Sequence, residues 1–536
     1  MRRSNVLANE NTWGAARHGG VGQRTQRPDR TLTIFRPARD GFLTVHCQTR
    51  GVKKTLPILL NWIAPAFMLV TIASGAMAAD ARPNFVIIMG EAQGWASCSV
   101  QMDDAVPGSK STLAHTPALE KLAADGMRFA NFYASSPRCT PTRAAFFTGK
   151  SPAALHMTFV GEGKGGREST FTETGSKVVP PQQVSQLPES EATIASMLRR
   201  EGYATAHFGK WHVGRVSPTR HGFEENDGPN NNGGPEDVEN PNPKQAFANA
   251  ERGMDFMTRQ AKAGKPFYLQ ISHYAGRGGT DARAETYADV RRRATTERDQ
   301  RLVGGAAVTQ DMDTTIGMLM AKLDELGIAK NTVFIYTSDH GAQGRNANGP
   351  LTNGKGTVWE GGIRVPLIVR GPGVKAGVCS HVRATTVDIF PTIAAIAHVK
   401  AALPKGIEGG SLAPVLGGAA DATVKRAREE FVVHFPHYDK DELGPASALL
   451  LGNEKLIHPY DTGAPMLFEL SKDLGEQHDL AKDRTKETAD LERKLNEYLK
   501  AVGALMPVPN PKYDPANAKP FEERRGPRGM KKGAAQ

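Results

Sequence analysis

The chain alternates short apolar runs with stretches whose apolar residues recur at helical spacing. Five apolar runs are typical of strands, at residues 83–90, 127–134, 203–209, 266–274 and 331–339. Helical periodicity extends over residues 116–126 and over a longer stretch around 305–327. This alternation predicts an α/β fold whose large domain has a mainly parallel mixed sheet flanked by helices.

The pattern changes after about residue 420. Three further apolar runs typical of strands occupy residues 431–438, 446–452 and 454–460. A helix rich in Glu, Lys and Leu is predicted over 485–502. These elements predict a smaller α+β domain over 421–515, after a large domain over 79–420 and before an irregular tail over 516–536. Two polar segments are predicted to be loops, at residues 160–187 and 224–246.

The basic charge of the chain is concentrated at its N-terminus. The 536 residues carry 67 Lys+Arg against 56 Asp+Glu, a formal net charge of +11. Residues 1–54 hold 11 basic and 3 acidic residues, which account for +8 of that total. The rest of the chain is close to neutral, so we expect no nucleic-acid partner.

Residues 52–78 have the pattern of a secretory signal peptide. Two lysines precede an apolar stretch over 55–73, and an Ala-Met-Ala cleavage site ends at Ala78. A membrane anchor is the alternative, but cleavage would leave no stable anchor, so we expect an exported protein, periplasmic or secreted. The Arg- and Gly-rich residues 1–51 do not fit in front of a signal peptide. We therefore expect translation to begin near Val52 and these residues to be missing from the mature protein.

The segment around Cys139 has the strongest chemical signal. Residues 136–150 read SPRCTPTRAAFFTGK, a loop running into a helix, and Pro141 suits the first helical turn. We therefore expect Cys139 at a helix N-terminus, where backbone amides and the helix dipole favour an anion. Arg143 adds a positive charge one turn further on. A buried structural cysteine beside a surface arginine is the alternative interpretation.

Other motifs accompany this segment in a fixed order. They are RPNFVIIM at 82–89, GKWHVG at 209–214, the helix at 311–327, TSDHG at 337–341 and NGKGTVWEGGIRVP at 353–366. Over about residues 82–515 the chain resembles the formylglycine-dependent type I sulfatases, which are arylsulfatase-like members of the alkaline phosphatase superfamily. It is similar in particular to bacterial polysaccharide sulfatases. The resemblance implies an alkaline-phosphatase-like large domain and hydrolysis of the sulfate esters of a sulfated carbohydrate.

The resemblance also implies a mechanism. A formylglycine-generating maturation enzyme would convert Cys139 to formylglycine, whose hydrated aldehyde attacks the sulfur of the ester and later expels sulfate. Lys210 and Lys355 would hold sulfate oxygens, and Arg143 would support the hydrated aldehyde. His212 would act on that group or on the leaving oxygen.

A divalent cation belongs to this mechanism, and calcium is expected, with magnesium as the alternative. The resemblance assigns four ligand positions, Glu91, Cys139, Asp339 and His340. The family usually has two adjacent aspartates where this chain has Glu91-Ala92, and commonly Asn where it has His340. The site therefore has one protein oxygen fewer, which water or Gln93 could supply. Asp103 and Asp104 are more distant candidates.

The substrate-side residues also depart from the family pattern. Arg277 takes the place of a usual histidine, and His273 lies four residues earlier as a substitute or as a packed strand residue. Arg277 could bind a sulfate or a sugar carboxylate. His434 and His437, in the sequence HFPHY, resemble a segment of polysaccharide sulfatases that lines the substrate pocket. Buried strand histidines are the alternative.

Two other functions remain open at this point. A phosphodiesterase or phosphonate monoester hydrolase of the same superfamily would share much of this chemistry. A weakly active sulfatase-like protein that binds sulfated glycans is the second alternative, and Ala92 and Arg277 motivate it.

Overall fold

The computed structural model describes residues 82–161, 170–232, 245–274, 276, 281–343, 347–419 and 421–519. Sixteen strands lie in these ranges: β1 (Asn84–Gly90), β2 (Met127–Phe129), β3 (Phe132–Tyr133), β4 (Val178–Val179), β5 (Ala204–Gly209), β6 (Glu225–Asn226), β7 (Phe267–Ser272), β8 (Thr332–Ser338), β9 (Leu367–Arg370), β10 (Val378–Ser380), β11 (Ala384–Thr385), β12 (Phe431–Phe435), β13 (Ala446–Leu451), β14 (Glu454–Pro459), β15 (Met466–Glu469) and β16 (Val508–Pro509).

The same ranges contain eleven α-helices: α1 (Pro117–Ala124), α2 (Cys139–Thr148), α3 (Pro152–Leu155), α4 (Ile194–Arg200), α5 (Ala246–Ala263), α6 (Ala284–Arg293), α7 (Glu297–Glu325), α8 (Glu360–Ile363), α9 (Ile389–Ile396), α10 (Ala413–Leu416) and α11 (Thr485–Ala501). Among the residues that the structure describes, no helix is both long and apolar enough to cross a membrane. The predicted signal peptide, 52–78, lies outside the described residues.

An eight-stranded sheet has the strand order β10-β2-β9-β8-β1-β7-β5-β6. Strand β9 runs antiparallel to β2 and β8, and the remaining pairs are parallel. In register, Met89 of β1 lies beside Ser272 of β7 and Thr337 of β8, so the carboxyl ends of these strands share one edge. The mainly parallel mixed sheet predicted from the sequence is confirmed, and ligands of such sheets bind at that edge.

Strand β1 shows why the central strands read as unbroken apolar runs. All seven of its residues are buried, because helices cover both faces of the sheet. Successive side chains point to opposite faces, so Phe85, Ile87 and Met89 enter one hydrophobic core while Val86 and Ile88 enter the other. Helix α9 contributes to the first core and α7 to the second.

The C-terminal part has a different architecture. Strands β12, β13, β14 and β15 form an antiparallel four-stranded sheet in sequence order. Helix α11 covers one face, where Leu491 and Leu495 pack with Val432, Leu449 and Leu456. The predicted smaller α+β part is therefore present. All described residues fall in one compact unit, and the domain boundary near residue 420 stays a prediction.

A buried cluster of charges joins this C-terminal sheet to the rest of the chain. Lys455 on β14 places its Nζ 3.0 Å from Glu360 Oε1 and 2.7 Å from Glu476 Oε1. Arg364 Nη1 lies 3.3 Å from Glu360 Oε2, to which the Tyr133 hydroxyl also donates a 2.9 Å hydrogen bond. Lys455, Glu360, Glu476 and Arg364 are called the junction cluster below. Because Glu360 begins α8, the cluster fixes the segment that follows Lys355.

Two regions differ from the sequence prediction. Helix α5, of 18 residues, was not predicted although its buried residues share one face, because small residues such as Ala246, Ala250 and Gly253 form much of that face and the average hydrophobicity of the segment is low. Within the predicted loop at 160–187, β4 pairs antiparallel with β16 near the C-terminus. The Asn510 amide donates to the Lys177 carbonyl beside this pair.

Candidate active site

The predicted catalytic and metal-binding side chains converge at the carboxyl edge of the sheet. Glu91 follows β1, Lys210 follows β5, and Asp339 and His340 follow β8 directly. Cys139 is the first residue of α2, as predicted, and is buried. Strand ends and a helix N-terminus thus bring together groups that lie up to about 250 positions apart in sequence.

Glu91 is the centre of the hydrogen-bond network. Its Oε2 accepts from Lys210 Nζ at 2.8 Å and from Arg143 Nη2 at 3.2 Å. Its Oε1 accepts from Lys355 Nζ at 3.0 Å and lies 3.2 Å from Cys139 Sγ. Lys355 Nζ is also 3.6 Å from that sulfur. Three cations therefore converge on one carboxylate beside Cys139.

The surrounding cations decide the charge of Glu91 and Cys139. Burial alone would raise the pKa of Glu91, but Lys210, Lys355 and His340 together hold it well below its ordinary value. Burial and the charge of Glu91 would raise the pKa of the Cys139 thiol, yet the same three groups lower it. The site therefore favours negative charge at position 139.

Arg143 ties the helix to the strand ends. Its Nε donates to Asp339 Oδ2 at 3.1 Å, and its Nη1 donates to the Lys210 carbonyl at 2.7 Å. The guanidinium is fully buried and also contacts Glu91, as described above. Arg143 thus holds the loops after β1, β5 and β8 in one arrangement. It also places a positive charge next to position 139.

The ligand positions suit a divalent cation. Donor atoms of Glu91, Cys139, Asp339 and His340 all lie within 4.8 Å of one another. His340 Nδ1 is 3.0 Å from the Gly341 carbonyl and Nε2 is 3.1 Å from Cys139 Sγ, so the carbonyl orients the ring toward the cluster. Two carboxylates favour a hard cation such as calcium or magnesium, and the imidazole is a softer donor.

The two residues after Glu91 play indirect roles. Ala92 has a left-handed backbone, with φ of 55°, and its amide donates to Asp339 Oδ1 at 3.1 Å. Its backbone thereby orients a ligand position, although its side chain supplies no donor. The side-chain oxygen Oε1 of Gln93 accepts from Thr309 Oγ1 at 2.8 Å, which directs this side chain toward α7.

His212 lies beside the cluster in an unusual backbone conformation, with φ of 54°. Its amide donates to the Asn230 carbonyl at 3.0 Å, and the Trp211 amide donates to Asn230 Oδ1 at 3.0 Å. Burial lowers the pKa of His212, and the charge of Lys210 lowers it further, so the imidazole is neutral near pH 7. Sequence reasoning missed Asn230, since it lies in a segment read as loop.

Residues 83–399 match the family model described as Sulfatase, which is more than half of the chain. The chain belongs to the sulfatase family. Residues 353–504 match a second model, described as N-sulphoglucosamine sulphohydrolase, C-terminal. N-acetylgalactosamine-6-sulfatase of Mus musculus is 32% identical over 392 residues, covering 66% of this chain and 70% of the relative. The chain is thus a sulfuric ester hydrolase.

Solved structures agree on the fold. The structure of Ps i-CgsB in complex with k-i-k-neocarrahexaose aligns with a TM-score of 0.63 and 20% identity, over 83% of this sulfatase and 98% of that chain. BT4656 in complex with its substrate D-glucosamine-2-N,6-O-disulfate aligns with a TM-score of 0.56 and 20% identity, over 79% and 98%. The predicted alkaline-phosphatase-like fold class is confirmed.

Three of the four predicted substrate-binding residues, His273, His434 and His437, are described by the structure, and all three are buried. His273 is buried and lines a small cavity behind Glu91, and burial lowers its pKa to about 4. Arg277 lies outside the described residues. His434 Nδ1 is 2.7 Å from Ser447 Oγ, and His437 Nε2 is 2.7 Å from Thr158 Oγ1. Neither His434 nor His437 lines the cavity that opens onto Cys139, and their role in substrate binding stays a prediction.

A cavity of about 1550 Å³ opens onto Cys139, Lys210, His212 and Lys355. The cationic side chains along its described wall far outnumber the acidic ones, Glu91 and Asp299. The cationic set is Lys110, Arg138, Lys210, Arg215, Arg298, Arg301, Lys355 and Lys440. Sequence reasoning found only two of these eight, because the others read as solvated surface charges. Such a cavity attracts anionic ligands.

Proposed function

We propose that this sulfatase hydrolyses sulfate esters of a sulfated carbohydrate, using a formylglycine made from Cys139 and one divalent cation. The observation that carries the proposal is the convergence of Lys210 and Lys355 on one carboxylate, at 2.8 and 3.0 Å, directly beside position 139. Two ammonium groups that can meet around one carboxylate are spaced to hold two oxygens of a sulfate group.

The residues of the chain divide the work. Lys210 and Lys355 bind the sulfate oxygens and stabilise the charge that develops on them. Formylglycine at position 139 supplies, as its hydrate, the nucleophile that attacks sulfur, with a second hydroxyl that allows the sulfate to leave. The neutral His212 accepts or returns a proton at the reacting oxygens.

Glu91, Asp339 and His340 would hold the cation together with position 139, and we propose calcium, with magnesium as the alternative. When bound, the cation would lower the cost of negative charge on the nucleophile and the sulfate. Arg143 holds Glu91 and Asp339 in place from the opposite side through its buried guanidinium.

The carbohydrate substrate is supported by two features. The wall of the cavity is strongly cationic, which suits a polyanion more than a neutral aryl group. The mouse relative is named for a sulfated amino sugar, and by their titles the two aligned structures hold k-i-k-neocarrahexaose and D-glucosamine-2-N,6-O-disulfate. We further propose export, with residues 52–78 as the signal peptide and a formylglycine-generating enzyme as a transient partner.

The first experiment is the mass of the peptide that contains Cys139, from protein produced together with a formylglycine-generating enzyme. We expect the thiol to be replaced by an aldehyde. Sulfate release from a panel of sulfated saccharides, with 4-nitrophenyl phosphate diesters at equal concentration, then identifies the ester. Faster phosphodiester cleavage would favour the phosphodiesterase alternative.

A glycan-binding function is the second candidate, and Ala92 favours it because this position supplies no metal ligand. If the protein only binds glycans, calorimetry on protein that carries both formylglycine and calcium would show binding of the sulfated saccharide, and no sulfate would be released. An unmodified thiol, found while a control sulfatase in the same cells is converted, would support the same conclusion.

A further inference from the structure

One face of α7 forms a wall of the large cavity. The residues of this helix that line the cavity recur at helical spacing and include Arg298, Arg301, Gly305 and Thr309. The face therefore runs continuously along the first four turns of the helix. Its two ends differ in chemistry, since the arginines lie at the start and the hydroxyl of Thr309 lies further along.

The far end of this face reaches the reaction centre. Thr309 donates to the side chain of Gln93, which follows Glu91 by two residues. An α-helix rises about 1.5 Å per residue, so Arg301 and Arg298 lie roughly 12 and 16 Å from Thr309 along the wall. A single sulfated sugar held at Lys210 and Lys355 would not span that distance. An oligosaccharide would.

Between its two ends, this face of α7 has small side chains. Gly305 is helical, and a Cβ atom added there would meet no other atom within 4 Å. Ala306 beside it also has a small side chain and lines the cavity. These two residues leave space in which the ring of a neighbouring sugar could lie against the helix.

Arg301 can exchange its present contact for a ligand. Arg301 is 3.5 Å from Glu297 in an ion pair whose side chains are 59% and 93% exposed, and such pairs contribute little. The nearby carboxylate of Asp299 accepts a 3.2 Å hydrogen bond from the Thr296 amide at the start of α7. Arg298 and Arg301 line the cavity together with one carboxylate, Asp299, in a wall whose cations far outnumber its carboxylates, so a ligand anion would be attracted there.

We propose that Arg298 and Arg301 form a second anion-binding subsite, which takes a sulfate or carboxylate group on a sugar beyond the one that is desulfated. The inference rests on the proposed function and deepens it, because it makes the substrate an oligosaccharide with at least two anionic groups. The reaction centre then acts on one end of a ligand whose other end is held by α7.

The test is direct binding of fluorescein-labelled dextran sulfate oligosaccharide to the full chain, followed by anisotropy at low salt. The variant Arg298→Gln/Arg301→Gln should bind about fivefold more weakly than the wild type, since two exposed charge pairs are lost. The matched control is Arg220→Gln/Arg259→Gln, which removes the same charge from side chains that are 67% and 53% exposed and do not line the cavity. The control should bind as the wild type does.

Further ligands and a further variant show whether the subsite accepts carboxylate and whether it needs the space beside Gly305. Carboxymethyl dextran of the same length tests whether the subsite accepts carboxylate, while neutral dextran should not bind. The variant Gly305→Leu keeps both arginines but fills the space on the wall, and it should also weaken binding of dextran sulfate. Equal affinities for the wild type and both cavity variants would overturn the proposal.

Activity gives an independent comparison. For Arg298→Gln/Arg301→Gln, kcat/KM on a sulfated oligosaccharide substrate should fall about fivefold further than kcat/KM on 4-nitrophenyl sulfate. If the wild type releases sulfate from neither compound, the proposed function fails, whereas the binding measurement still decides on the subsite. Equal losses on both substrates would mean that the arginines act generally and that no second subsite exists.

Discussion

Two clusters of buried charge lie in the described chain, and their charges are balanced differently. The junction cluster has two cations, Lys455 and Arg364, and two carboxylates, Glu360 and Glu476. The cluster around Cys139 has three fixed cations, Arg143, Lys210 and Lys355, against the two carboxylates of Glu91 and Asp339. The second cluster therefore carries a positive surplus.

The clusters also differ in access. All side chains of the junction cluster are at most 4% exposed, and none of them lines the large cavity. Lys355 is 11% exposed and lines the cavity together with Lys210. A balanced, enclosed cluster stabilises the fold, whereas a cluster with surplus charge and an opening can accept an anion. Substitutions at equivalent positions of the two clusters should separate these roles.

The largest effect is expected for Cys139→Ala. Turnover should fall about 10³-fold or more, because the nucleophile is lost, while thermal unfolding changes little since the new side chain is small. Rates of sulfate release and a melting curve measure the two effects. Cys98→Ala is the matched control, a buried cysteine outside the cluster, and it should keep its turnover. Comparable turnover in both variants would refute the role of Cys139.

Lys455→Met should affect stability most. It leaves the buried carboxylates of Glu360 and Glu476 without their shared cation, and we expect the free energy of unfolding to fall by about 3–5 kcal/mol. Denaturant unfolding measures the loss. The double variant Lys455→Met/Glu476→Gln should recover part of it. A loss below about 1 kcal/mol would mean that the junction cluster contributes little.

Lys355→Met, in contrast to Lys455→Met, should reduce activity strongly and stability little. We expect kcat/KM to fall about 10²-fold, because a cation that holds the sulfate is lost. The free energy of unfolding should change by about 1 kcal/mol or less, because Glu91 keeps its contacts with Lys210 and Arg143. A large loss of stability with unchanged kcat/KM would make Lys355 a structural residue like Lys455.

The metal ligands can be tested without turnover. Glu91→Ala should weaken calcium binding by about tenfold or more, and Gln93→Ala by a smaller factor, because Gln93 is directed toward Thr309. Calorimetric titration of calcium into metal-free protein gives both constants. The reverse order would show that the ligand assignment is wrong.

The smallest effect concerns pH. Burial and the charge of Glu360 raise the pKa of Glu476 to about 7, against an ordinary value of 4.5. The folded protein then binds more protons than the unfolded chain between these values, so this residue lowers stability as pH rises from about 4.5 to 7. Glu476→Gln should remove this loss of stability over that interval.

Denaturant unfolding at pH 5 and pH 7 measures this difference. Buried histidines such as His207 and His437, whose pKa values burial lowers to about 3, give the opposite slope below pH 6.5 in both proteins. Only the difference between wild type and variant therefore reports on Glu476. Identical pH profiles would place its pKa near the ordinary value.

The sequence predicted the parts of the site that follow regular elements. Glu91, Asp339 and His340 come directly after apolar strands, so parallel pairing brings them to one edge. Cys139 follows from the N-terminal signals of its helix. Lys210 and Lys355 were assigned only through the order of several motifs, because a single lysine in a loop has no period that marks it.

Other residues depended on tertiary packing and could not be predicted. Arg298 and Arg301 lie before the helix predicted around 305–327, and only the longer α7 of the structure places them on a cavity wall. The junction cluster joins Glu360 and Arg364 of one segment to Lys455 and Glu476 of two later segments, and no sequence pattern links the three. His434 and His437 follow a family motif, yet the structure places them in hydrogen bonds with Ser447 and Thr158.

The pairing of β16 with β4 has a consequence for the time at which the fold is completed. Asn510 donates to the carbonyl of Glu173, a residue 337 positions earlier. Ribosomes make the chain from its N-terminus, so β4 cannot pair with β16 until nearly all of the chain has been synthesised. Closing a loop costs only slightly more as it lengthens, so the delay comes from synthesis rather than from entropy. The neighbourhood of β4 is therefore expected to be the last part of the described chain to become protected from proteases.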